Sequence, residues 1–160
     1  MDVSKSIDES GFLRLRDGAV EYSSDVLGAW SVEIDRIKVI GEMTTEEGPF
    51  ADDYFLVLVT GPDDWYLASS YARGRDEVVS ALREHLHADL EFTLTGSTDL
   101  TSRVLWPEAL RGRDLLVFRD DSPGGVWDRI RQLWSPRKVA MSLTDEVRRT
   151  CSGTSDGAVG

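Results

Sequence analysis

AWSVEIDRIKVIGEM, residues 29–43, alternates apolar and polar side chains as a half-buried strand does, and then changes phase. Trp30, Val32 and Ile34 share one parity, whereas Ile37, Val39 and Met43 share the other. Successive strand residues point to opposite faces, so such a shift must be absorbed by a bulge or a tight corner if both apolar sets are to stay inside. The break falls near Asp35 and Arg36. A bend there predicts antiparallel strands that curl around a core.

The flanking segments fit that expectation. In FLRLRDGAVEY, residues 12–22, Leu13 and Leu15 precede Asp17-Gly18, and Val20 and Tyr22 follow it. Asp-Gly supplies the positive φ angles of a two-residue hairpin turn. The acidic stretch TTEEGPFADD (44–53) reads as a loop, and the unbroken apolar run YFLVLVT (54–60) as a strand buried on both faces. GPDD (61–64) is a turn and WYLASS (65–70) a returning strand.

The period then changes. In RDEVVSALREHL (75–86), Val78, Val79, Leu82 and Leu86 form one stripe of an amphipathic helix, with Asp76 and Glu77 near its positive end. Leu90, Phe92 and Leu94 return to strand spacing, and RVLWP and DLLVF are further strands, Pro107 confining the first to an edge or an end. DDSPGG (120–125) is a turn, VWDRIRQLW (126–134) a short helix, and TCSGTSDGAVG a Gly/Ser tail expected to be disordered. The fold class is α+β, an antiparallel β-rich curved sheet or partly open barrel packed with one main amphipathic helix, plus a short C-terminal helix. Residues 1–119 form one globular domain, 120–150 a helical extension and 151–160 the tail.

Over residues 11–86, FLRLRDGAVEY, WSVEIDRIKVI and RDEVVSALREHL follow an order that resembles pleckstrin-homology and GRAM-type domains, in which a single C-terminal helix closes a curved β-sandwich. The resemblance implies a non-enzymatic scaffold for binding proteins. Strand-like sequence continues after the helix, and the first turn is a two-residue Asp-Gly, both departures from that family. Lys5, Arg14 and Arg16 spell the basic pattern of its phosphoinositide-binding members, but the arginines precede the first turn and are followed by Asp17.

The 160 residues carry a net charge of −11, which disfavours nucleic acid, since phosphate neutralisation needs clustered Lys and Arg. Residues 1–100 hold 21 acids and 8 bases, and residues 101–160 hold 8 acids and 10 bases. An acidic body thus precedes a slightly basic C-terminal third. MDVSKSIDESGF lacks the apolar core of a secretory signal and YFLVLV is too short to span a bilayer, so a soluble, cytoplasmic chain is expected, with membrane binding disfavoured. The single cysteine, Cys151, excludes an internal disulfide and is read as an incidental thiol in the polar tail.

Three motifs suggest chemistry and fail on context. His85 and His87 open an H-x-H-x-D pattern that resembles the metal-binding signature of metallo-β-lactamase-like hydrolases, yet they are the only histidines, Leu90 stands where that pattern continues with His, and helix residues two apart point in different directions. Gly153 to Gly157 spells G-x-S-x-G, but only three residues follow and both histidines lie upstream. The pairs Asp52/Asp53, Asp63/Asp64 and Asp120/Asp121 occupy turns, where Asp caps local amides. No catalytic set, cofactor motif or metal site is therefore expected.

What remains is a non-catalytic acidic protein-interaction module, an adaptor or an immunity-like inhibitor, whose partner is a protein, a basic one among the candidates. The short helix carries Val126, Trp127, Ile130, Leu133 and Trp134 on one stripe, and Trp127, Ile130 and Trp134 are the expected partner-binding anchors. The alternative is a small-molecule or lipid binder with a pocket between sheet and helix lined by Phe55, Trp65, Tyr66 and Phe92.

Overall fold

Asp17 and Gly18 adopt φ of 53° and 78° and join β1 (Phe12–Arg16) to β2 (Ala19–Ser24), the tight turn that Asp-Gly dictates. The computed structural model describes residues 10–25, 27–44, 54–94, 101–118 and 141–152. β3 (Gly28–Glu33) completes an antiparallel three-stranded sheet in the order β1-β2-β3. The phase change is a corner: residues Ile34–Arg36 form one 3₁₀ turn, after which the chain enters β4 (Val39–Thr44) in a different sheet. Ile34, which opens the turn, and Ile37, which follows it, are both buried.

The second sheet has the order β6-β5-β4-β7, with β5 at Tyr54–Val59, β6 at Trp65–Ser69 and β7 at Thr101–Trp106. Every residue of β4 and β5 is buried, as the continuous apolar run of β5 requires. Pro107 follows β7, which is an edge strand. One face of this sheet (Ile40, Leu56, Leu58, Ala68, Leu105) shares a core with Leu13, Val20 and Val32 of the first sheet and with α1 (Arg75–Leu86), through Val78, Val79 and Leu82. The opposite face (Val39, Met43, Phe55, Val57, Trp65) packs against β8 (Leu116–Phe118), β9 (Met141–Leu143) and α2 (Asp145–Ser152). The architecture is α+β and layered, and the sheets are not closed into a barrel.

Two expectations are corrected. Leu90 to Leu94 is not a strand: Leu90 and Leu94 are buried as the alternation implies, but the segment pairs with no strand among the described residues, and the Thr93 and Leu94 amides are met by the Glu42 carboxylate. Cys151 does not begin a tail. It lies in α2, 3% exposed, one helical turn beyond the buried Val147. Arg113–Glu146 at 3.0 Å, Arg148–Asp63 at 3.2 Å and Lys38 Nζ donating to the Cys151 carbonyl at 3.2 Å tie that helix to the body.

The three-stranded sheet also shields an edge of the central one. Trp30 Nε1 donates to the Leu67 carbonyl on β6 at 2.8 Å, and the Ser69 amide of the same strand donates to Tyr22 Oη at 3.4 Å. The Trp30 ring lies 5.6 Å from Tyr22 and 5.5 Å from Tyr66. An edge strand so engaged is a poor template for another chain.

Candidate interaction groove and buried polar centres

The first sheet buries one face and presents the other. In β1, β2 and β3 the buried set is Leu13, Val20, Tyr22 and Val32, so the opposite parity faces outward. The strand register lines up Phe12, Ser23 and Ala29 in one cross-strand row and Arg14, Glu21 and Ser31 in the next. Ser23 on β2 and Ala29 and Ser31 on the edge strand β3 are small and leave an open groove of about 800 Å³, whose lining also includes Phe12, Arg14, Glu21 and Arg73. Phe12 is 44% exposed.

Arg73 reaches the groove because the loop before α1 lies directly on β1. The Arg73 amide donates to the Gly11 carbonyl at 3.0 Å, and the Leu13 amide to the Arg73 carbonyl at 2.7 Å. Only glycine permits this approach at position 74, where φ is 83° and a Cβ would stand 2.1 Å from the Leu13 carbonyl oxygen. The Arg73 guanidinium lies 5.7 Å over the Phe12 ring and, among the described residues, has no ion-pair partner. Arg14 Nε donates to Glu21 Oε1 at 2.7 Å across the same face. The Ser23 and Ser31 hydroxyls, both on exposed residues, make no hydrogen bond among the described residues.

A second polar centre is buried in the first core. Glu42 on β4 is 0% exposed, and its carboxylate accepts four hydrogen bonds. Tyr54 Oη (2.5 Å) and the Leu94 amide (3.2 Å) donate to Oε1, while the Thr93 amide (2.8 Å) and Thr93 Oγ1 (3.1 Å) donate to Oε2. A carboxylate withdrawn from water needs such donors. Glu42 thereby does for the 88–94 segment what a neighbouring strand would do. Ser102 repeats the device on the other face of the sheet, its Oγ accepting from the Leu115 and Leu116 amides at 3.2 and 2.9 Å. Sequence reasoning passed over Glu42, although its place on a strand beside YFLVLV signals an acid with no route to solvent.

The residues singled out from sequence do not converge. His85 Nε2 lies 3.2 Å from Asp35 Oδ1, whereas His87 caps α1 with φ of 50° and its amide bonded to the Arg83 and Glu84 carbonyls. Among the described residues no three His, Cys, Asp or Glu side chains come together to hold a metal. Asp63 and Asp64 are in the β5–β6 turn as expected, Asp63 paired with Arg148. Phe55 and Trp65 face one core of the central sheet and Tyr66 and Phe92 the other, so these four cannot line a single pocket. Trp127, Ile130 and Trp134, the Asp52/Asp53 and Asp120/Asp121 pairs and the G-x-S-x-G stretch lie outside the described residues.

The thiol of Cys151 is buried, which pushes its pKa up, while nearby Lys38 pulls it the other way. No helix among the described residues is long and apolar enough to cross a membrane. No protein-family model, curated protein or solved structure matches this chain.

Proposed function

We propose that this chain is a non-catalytic, acidic protein-interaction module of the adaptor or inhibitor kind, and that a partner protein docks on the outer face of the β1–β3 sheet. One observation carries the reading: that face holds an exposed aromatic beside a floor of small side chains, a shape ready to receive another surface. Covering the exposed part of Phe12 would contribute about 2 kcal/mol of apolar burial. The net charge of −11 supports a partner that is basic as a whole, drawn in by long-range attraction.

Trp127, Ile130 and Trp134 belong to this proposal as a second set of anchors, on the strength of their helical spacing alone. A cytoplasmic location and a distant pleckstrin-homology or GRAM-like origin are part of the same reading. Their support is the lone cysteine and the order of a hairpin, further antiparallel strands and a helix.

The test is recovery of partners from native cell extract on immobilised full chain, at low and high salt, with the parent and with Ser31→Trp, which fills the groove floor. We expect a partner that is retained at low salt, eluted at high salt and lost with Ser31→Trp. The same proteins on both baits would refute the groove as the docking face.

A further inference from the structure

Resting on that docking reading, we infer that the groove takes a partner segment presenting a side-chain carboxylate next to an apolar side chain. Hydrogen-bond donors are in excess in this groove. The Arg73 guanidinium is exposed and unpaired among the described residues, and Arg14 commits only Nε to Glu21. The Ser23 and Ser31 hydroxyls can each donate one further hydrogen bond and can also accept, so the excess comes from the two arginines. Glu21, the carboxylate of the lining, is already engaged by Arg14.

An arginine laid over an aromatic ring keeps its N–H groups free at the edge of its plane, where a carboxylate binds in two-pronged fashion. Phe12 offers the apolar half of the same contact. Gly74 holds this pair together by keeping the Arg73 backbone on β1. Extended polyanions suit the site less well. Nucleic acid or an anionic membrane would bring many charges against a chain of net charge −11, whereas one carboxylate meets a local cationic patch within a Debye length of about 8 Å.

A random peptide library panned on the full chain tests this. Enriched peptides are then titrated against the parent, Arg73→Gln, Phe12→Ala and Ser31→Glu, each also with the peptide's acids replaced by their amides. All three variants alter exposed side chains, and equal melting temperatures establish that they are folded. We expect enrichment of peptides with Asp or Glu beside an aromatic or aliphatic residue. Arg73→Gln and the amide peptide should each weaken binding by about tenfold, with no further loss when combined. Ser31→Glu should weaken the acidic peptide and spare its amide form.

Peptides without a carboxylate that depend on Phe12 but not on Arg73 would overturn this inference and leave the docking face standing. No enrichment, or peptides indifferent to all three variants, would overturn both. Preference of Arg73 for a single-stranded oligonucleotide or for phosphatidylserine vesicles over the acidic peptide would also overturn it.

Discussion

Replacing Glu42 by Gln should cost about 2–4 kcal/mol of folding stability, although the side chain keeps its length and shape. Gln retains one acceptor oxygen and places an NH₂ at the other position. If the NH₂ takes the place of Oε1 it confronts the Leu94 amide, and if it takes the place of Oε2 it confronts the Thr93 amide. The hydroxyls of Tyr54 and Thr93 can turn to accept, but a backbone N–H cannot. In either orientation one buried N–H faces another donor, a penalty of about 1–3 kcal/mol, and the remaining bonds lose their charge assistance. Tyr54→Phe removes a single donor, leaves three on the carboxylate, and should cost less, about 1 kcal/mol. Urea unfolding followed by tryptophan fluorescence measures both, and an unchanged denaturant slope would show that the same surface is exposed. Amide exchange at Thr93 and Leu94 should accelerate in Glu42→Gln before that of β5. A Gln variant within about 0.5 kcal/mol of the parent would refute the idea that this carboxylate secures the 88–94 segment.

Gly74→Ala introduces a Cβ against the Leu13 carbonyl in a left-handed backbone conformation, and should lower stability by about 2 kcal/mol or more in the same urea assay. It should also weaken any ligand that needs Arg73 over Phe12. Cys151 should resist iodoacetamide in the folded protein and react promptly once unfolded, which mass spectrometry reads directly. Its folded pKa is raised, so the unfolded thiol releases its proton first. The associated stability is fully present below the ordinary thiol pKa of about 8.5 and is lost as pH rises above it. Cys151→Ala should remove that part of the alkaline decline.

Local rules made much of the fold legible. Asp17-Gly18 specified a hairpin, the stripe from Val78 to Leu86 specified α1 with its ends, and the unbroken run at Tyr54–Val59 specified a strand covered on both sides. The alternation of Leu90, Phe92 and Leu94 told which residues turn inward but not what meets their backbone, because Glu42 answers to that need from far along the chain. The short spacing of Val147 and Cys151 was overshadowed by the Gly/Ser composition that follows it. The groove was not legible, because Ser23, Ala29 and Ser31 become a floor only when three strands come into register.

The central sheet carries a consequence for the chain while it is being made. Met43, Phe55, Val57 and Trp65 face the layer that contains β8, β9 and α2, and β9 and α2, which complete that layer, are encoded about eighty residues after Val59. At ordinary rates of translation this interval is on the order of ten seconds. Throughout it, a nascent chain whose hairpin and α1 have already emerged would show one incompletely covered hydrophobic wall to its surroundings. A ribosome stalled before Met141 would therefore release a sticky fragment, one that chaperones or proteases would be the first to meet.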